Sequence, residues 1–117
     1  CMVNNVQSFE DLNIWKRSSS LAVKIYRDLK PINDFGFTNQ IQRAVISISN
    51  NIAEGFERRS DKEFKQFLFI SKGSCGEVRS MVHIGFELGY FDKKRYDEYI
   101  RETIEISRMI AGYIKSL

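Results

Sequence analysis

Residues 37–63 read FTNQIQRAVISISNNIAEGFERRSDKE, and two signals inside this stretch decide the fold. Phe37, Ile41, Ala44, Val45, Ile48 and Ile52 recur at intervals of three and four, which draws one apolar seam along a helix. The seam is expected to stop at Gly55, where a left-handed helix cap carries no steric penalty. Just beyond it, Ser60-Asp61-Lys62-Glu63 has the S-x-x-E form of a capping box, in which a hydroxyl and a carboxylate each satisfy an orphan backbone N–H. A further helix therefore begins near Asp61, so the stretch holds two helices and a short turn.

Working outward, the same period appears on both sides. Over residues 10–30, Leu12, Trp15, Ser19, Ala22, Tyr26 and Leu29 form one seam, and Ile14, Ser18, Leu21 and Ile25 form a second beside it. Two seams give a face wider than a two-stranded coiled coil needs, so this helix has neighbours on two sides. Pro31 stops it, and residues 31–36 make the turn. After Asp61 the seam runs Phe64, Phe67, Ser71, Ser74, Val78, Met81 and Gly85, and Gly89 ends it. Gly73-Ser74-Cys75-Gly76 lies within this helical period and reads as small residues at a tight helix crossing. Asp92 is placed to cap a last helix, whose seam Tyr96, Tyr99, Thr103, Ile106, Ile110, Tyr113 and Leu117 keeps a heptad rhythm. No segment alternates with period two. Four helices of about 20–28 residues with short connections predict an all-α, antiparallel up-and-down four-helix bundle. It occupies residues 9–117 as a single domain, after an N-terminal tail of residues 1–8.

Composition agrees with one folded domain: 117 residues, 43% hydrophobic and 28% charged, with one Pro and seven Gly. The two cysteines, Cys1 and Cys75, cannot build a disulfide framework, so a reducing compartment is expected. No apolar run approaches a membrane span, and residues 1–7 lack the apolar core of a signal peptide. The cytoplasm is the expected location.

Little in the chain suggests catalysis. The one histidine, His83, cannot supply the paired Glu-x-x-His ligands of di-iron bundles, and Cys75 with His83 is too few ligands for zinc. No phosphate-binding or nucleophile-elbow pattern occurs, so no cofactor, no metal and no enzymatic activity are expected. Arg79 and His83 share a helix face and superficially resemble the Arg and His pair of some helical-bundle ribonucleases, with a shorter spacing. RNA cleavage is the most distant of the functional readings.

Two surfaces stand out instead. On the second helix, Gln40, Arg43, Ser47, Asn50, Asn51 and Glu54 form a polar stripe beside the seam, while Ile46 and Ala53 put apolar groups where a monomer usually carries Lys or Glu. A solvated stripe with an incidental Ile46 is the competing reading. The favoured one is a subunit interface made by these eight residues. On the first helix, Lys16, Arg17, Lys24 and Arg27 share a sector with no carboxylate among them. Arg58, Arg59, Lys62 and Lys65 bracket the start of the third helix, where backbone N–H groups favour an anion. Lys16, Arg17, Lys24, Arg27, Arg58 and Arg59 are therefore the candidate phosphate contacts. The net charge of +3 permits such binding without announcing it. An apolar or acidic surface holding a partner protein, with no nucleic acid bound, is the alternative.

Phe9, Leu12, Trp15 and Tyr26, the run Gln40-Ile41-Gln42-Arg43-Ala44, Ser47-Ile48 and above all Asn51-Ile52-Ala53-Glu54-Gly55 resemble the 23S rRNA intervening-sequence protein family. Phe64, Phe67, Gly73-Ser74, Glu77 and Gly89 continue the likeness over nearly the whole chain. The resemblance implies a bacterial four-helix bundle that forms a homopentamer with a central opening and has no known enzymatic activity. Relatives include accessory proteins of diversity-generating retroelements, basic pentamers that bind nucleic acid and a reverse transcriptase. Two departures fall at the first turn: Pro31-Ile32-Asn33-Asp34 matches the usual Pro and Glu loosely, and Phe37 stands where the family has Leu.

Overall fold

The computed structural model describes residues 6–117. Four helices follow one another: α1 Asn13–Leu29, α2 Phe35–Phe56, α3 Asp61–Glu87 and α4 Lys93–Ser116. Each packs against the next, and α1 closes the ring of neighbours by lying along α4. This is the up-and-down bundle that the periodicity predicts, 44 Å long and 22 by 19 Å across. Cys1 and most of residues 1–7, on which the signal-peptide reading rested, lie outside the described residues. Val6, assigned to the N-terminal tail, packs against the core.

The helix ends show why the chain turns where it does. The first helix begins later than its seam suggests: Phe9–Asp11 form a short 3-10 turn, and Leu12 is extended at φ −76°, ψ 127°. Burying Leu12 in the core outweighs continuing the helix through it. Asp34 caps α2 by accepting the Phe37 N–H at 3.2 Å, and it also accepts the Tyr90 hydroxyl at 2.7 Å. The α1–α2 and α3–α4 turns are thereby tied together at one end of the bundle. Ser60 accepts the Glu63 N–H at 3.2 Å, as the capping box requires. The Glu63 carboxylate accepts the Ser60 hydroxyl at 3.3 Å, a side-chain contact where the capping-box reading had it bond a backbone N–H.

At Gly89, φ is +80°, and the Tyr90 and Gly89 N–H groups donate to the Gly85 and Phe86 carbonyls at 2.8 and 3.0 Å. This is a Schellman stop, the conformation glycine adopts without steric penalty. Asp92 then caps α4 by accepting the Arg95 N–H at 2.8 Å.

Two glycine readings are corrected. Gly55 is not a left-handed cap, because α2 runs one residue past it and Gly89 alone has positive φ among the described residues. A Cβ at Gly55 would lie 2.7 Å from the Phe67 Cβ and 2.9 Å from the Phe64 ring, so it is the bare spot on which α3 rests. Conversely, a Cβ at Gly73 or Gly76 would meet nothing within 4 Å. The close approaches at glycine lie at Gly55 and again at Gly85, which faces Phe37 and Phe91; in the Gly73–Gly76 cluster it is Ser74 and Cys75, not the glycines, that meet neighbouring helices.

The core is continuous from Leu12 to Ile110, with Ile25, Ile41, Ile48, Ile52, Leu68, Val78, Tyr99 and Ile106 wholly buried. Of the two seams read on α1, Ile14, Ser18, Leu21 and Ile25 are all buried, whereas Tyr26 of the other is exposed. Buried polar groups find partners across helices: the Ser71 hydroxyl donates to the Ile48 carbonyl at 2.7 Å, and the Cys75 thiol to the Thr103 carbonyl at 3.0 Å. Burial pushes the Cys75 thiol up to about 11, which leaves it protonated and unreactive. The Tyr113 hydroxyl is buried with no hydrogen-bond partner among the described residues.

Candidate nucleic-acid interface and subunit faces

The helices differ sharply in charge. From their sequences, α1 carries four cations and one carboxylate and α4 six and four, whereas α2 has one of each and α3 four of each. The excess positive charge of the helical bundle therefore sits on the α1/α4 half.

Two of the four cations predicted as a free face on α1 are taken up by α4. Arg17 grips Glu102 bidentately, Nε and Nη2 at 2.9 and 2.6 Å, and Lys24 meets Glu98 at 3.0 Å. The hydrogen bond from Lys24 holds the Glu98 carboxyl below its usual range. Arg95 crosses in the other direction to Asp28 at 3.2 Å, and Asp28 also accepts the hydroxyl of the buried Tyr99. Burial, reinforced by that bond to Asp28, raises the Tyr99 hydroxyl far above its ordinary range. Arg17 and Lys24 thus fasten the α1/α4 seam, while Lys16 and Arg27 stay exposed without an ion pair among the described residues.

A stronger basic feature lies on α4 and was not drawn from the sequence. Lys94, Arg101, Arg108 and Lys115 are all exposed and stand seven residues apart. Among the described residues only Arg108 of the four makes an ion-pair contact, with Glu105 at 3.8 Å, although Glu102 and Glu105 border the same pocket as Arg101. The i, i+7 spacing is legible in the sequence, on a face of α4 outside its core seam.

The second predicted basic group is weakened by its surroundings. Arg58 lies 2.9 Å from Glu54 and 3.9 Å from Glu63, with its guanidinium 4.8 Å over the Phe67 ring. Ser60 already occupies the Glu63 N–H at the start of α3. Arg59 and Lys62 are exposed, and Lys65 is half-buried.

The eight interface residues of α2 do not form one surface. Gln40 donates to Glu77 at 2.5 Å, the Ser74 hydroxyl donates to Ser47 at 2.8 Å, and Asn51 donates to the Ser47 carbonyl and hydroxyl at 2.8 and 2.9 Å. These groups are satisfied by α3 or within α2, and Glu54 by Arg58. Arg43 and Asn50 face solvent. Ile46 lies on the other flank, half-buried in a groove between α1 and α2 of about 660 Å³, and Ala53 is half-buried. Ala22, Val23, Tyr26, Ile32 and Phe35 line the same groove.

His83 is exposed, with its Nδ1 2.9 Å from the Tyr96 hydroxyl. Among the described residues no group of three or more His, Cys, Asp or Glu could hold a metal, and no helix is long and apolar enough to cross a membrane.

The fold and its surfaces define a class: an up-and-down four-helix bundle whose outward features are a cationic half and an apolar groove between α1 and α2. The chain belongs to the 23S rRNA-intervening sequence protein family, which it matches over residues 10–112. It is also similar to the crystal structure of a protein of unknown function from the S23 ribosomal protein family of Bacteroides thetaiotaomicron VPI-5482. That match has a TM-score of 0.81 and 23% identity, and covers 87% of this chain and 95% of the other. No curated protein matches the chain.

Proposed function

We propose that this protein is a non-enzymatic, oligomeric, cytoplasmic protein that holds the phosphate backbone of RNA or DNA on its α1/α4 half. The observation that carries the reading is the row Lys94, Arg101, Arg108 and Lys115 on the half that bears the bundle's positive charge. At 1.5 Å per residue the row repeats every ~10.5 Å and drifts by about 20° per step, so it forms a slowly winding cationic track. Lys16 adds to it from α1, beside Arg17 and Lys24, whereas Arg27 lines the α1/α2 groove. Arg17 and Lys24 act as fasteners, and Arg58 is held by its carboxylates. Among the described residues no exposed aromatic on α4 accompanies the row, so backbone contact without base readout is the expected mode. Self-association would repeat the row and convert a weak single contact into avidity.

The family description, which concerns intervening sequences of 23S rRNA, supports a role near RNA. A protein-interaction scaffold is the second reading, favoured by the exposed apolar groove between α1 and α2.

Fluorescence anisotropy with a generic single-stranded RNA, across a salt series, tests the proposal. Binding should weaken steeply with salt, and Arg101→Glu with Arg108→Glu should lower affinity at least tenfold, because each reversal replaces a phosphate contact with repulsion. Salt-insensitive binding, or affinity unchanged in the double variant, overturns it.

A further inference from the structure

We infer that the nucleic acid held by the α4 row is double-stranded, because a second row of cations on α3 runs beside the first and the two together match a pair of phosphate backbones. This rests on the phosphate-binding reading above and names its ligand.

Overall α3 is neutral, but its charges are sorted. Its carboxylates fall at Asp61, Glu63, Glu77 and Glu87, so the stretch from Phe64 to Gly76 carries none. Lys65, Lys72 and Arg79 stand seven residues apart, the same step as the α4 row. Lys72 and Arg79 are exposed and make no ion pair among the described residues. Lys65 is half-buried and stands four residues after Asp61, which makes it the weakest of the three.

The α3 row lies on the flank that meets α4. Cys75, three residues beyond Lys72, donates its thiol to the Thr103 carbonyl at 3.0 Å, and the His83 ring, four residues beyond Arg79, lies 2.9 Å from the Tyr96 hydroxyl. Residues three and four apart share a helix face, so Lys72 and Arg79 stand on the α4 side. The bonds from α3 to α2 leave from other positions, Ser71, Ser74 and Glu77.

The same contacts, with the Phe64 and Tyr113 rings 5.7 Å apart, set the two antiparallel helices in register. Arg79 then stands level with Arg101, Lys72 with Arg108 and Lys65 with Lys115, each to within about one turn of 5.4 Å. The rows therefore run side by side for ~21 Å, with helix axes roughly 8–10 Å apart. The two flanks of the α4 row differ. Toward α1 it borders Glu102 and Glu105, in the pocket that also holds Arg17 and Arg101. Toward α3 it borders the carboxylate-free stretch, so a polyanion is drawn to the α3 side.

A single strand offers one line of phosphates and fills one row at a time. A double helix offers two, lying alongside each other across a groove. The minor groove of DNA is ~6 Å wide and the A-form major groove is also narrow, so the phosphate lines stand on the order of 10 Å apart. That spacing is close to the separation of the two helices. Contacts of this kind position a duplex without reading its sequence. Phe69, 58% exposed beside Lys65 and Lys72, is the feature of this face that would instead suit a single strand, by stacking on an unpaired base.

The test uses the full chain, with circular dichroism to check the fold and fluorescence anisotropy on three probes of equal length: single-stranded RNA, duplex RNA and duplex DNA. Lys72→Glu with Arg79→Glu should lower duplex affinity about tenfold or more and single-strand affinity by no more than about twofold, because a lone backbone stays on α4. Phe69→Ala should leave duplex affinity within about twofold of wild type, since paired bases are not free to stack. This pattern on either duplex supports the proposal, and the tighter of the two names the source of the phosphates. Should the reversal variant lose its helical signal, Lys72→Gln with Arg79→Gln replaces it, and the slope of log affinity against log salt on the duplex should fall by roughly 0.9 per lost phosphate contact. Unchanged duplex affinity in the first variant, or an unchanged slope in the second, overturns the duplex reading and leaves the α4 row standing. So does an equal loss on duplex and single strand, or a large loss with Phe69→Ala, either of which assigns the face to an unpaired strand. A wild type that binds none of the three probes overturns both readings.

Discussion

The α2/α3 seam and the α1/α4 seam solve the same packing problem with different chemistry. Between α2 and α3 the contact is made by shape: Gly55 lets α3 rest on the α2 backbone, and Ser71 bonds the Ile48 carbonyl. Between α1 and α4 much of it is made by charge, through Arg17–Glu102, Lys24–Glu98 and Arg95–Asp28. A seam built on shape needs few charged residues and leaves its half neutral. A seam built on ion pairs draws cations to its half, and those that make no ion pair, such as Lys94 and Arg101, face outward. The basic surface is in this sense a by-product that the protein can use.

The comparison can be broken from either side. The largest effect is expected at Gly55: Gly55→Val would force atoms into Phe64 and Phe67, and overpacking of this kind costs roughly 1–3 kcal/mol. Urea unfolding should show a lowered midpoint, whereas Gly73→Ala, with open space around it, should be stabilising by up to about 1 kcal/mol. Equal effects at the two glycines would refute the close crossing. On the charged seam, a double-mutant cycle with Arg17→Met and Glu102→Gln should give a coupling of only about 0.5 kcal/mol, since both side chains are partly exposed and screened. A coupling several times larger would mean that the charged seam bears as much as the packed one.

The smallest effect is expected in acid. Glu98 has its folded value held below the ordinary 4.5 by the hydrogen bond from Lys24. Its contribution is present above about pH 4.5 and is lost as pH falls through the depressed folded value. Lys24→Met should flatten that part of the stability curve below pH 4.5 and leave the curve near pH 7 almost parallel to wild type. An unchanged acid limb would show that the pair contributes nothing.

What was readable and what was not divides along the range of the interaction. Ser60, Asp92 and Gly89 act on atoms within a few residues of themselves, so their roles at helix ends were visible from spacing. Gly55 was misread because a cap and a bare contact spot look alike until α3 is in place. The face on α1 was misread for the same reason: Glu98 and Glu102 lie 74 and 85 residues from Lys24 and Arg17, and no helical projection of α1 can show them. The row on α4 was readable, and a search for cation repeats would have found it. The groove around Ile46 was half-readable, since an apolar residue on an outer flank signals cover without saying what provides it.

The sequence by itself determined the helices, their order and much of the core, because these follow from a 3.6-residue period and from caps that close over three or four positions. Tyr26 of one seam is exposed, though, and buried Leu68, Cys75 and Val82 lie outside the seam read on α3. Tertiary structure alone decided which cations are paired, which glycines touch a neighbour and where apolar surface is left open. Those outcomes depend on groups that meet only after the chain has folded back on itself, and neither pairing nor contact has a signature within a single helix.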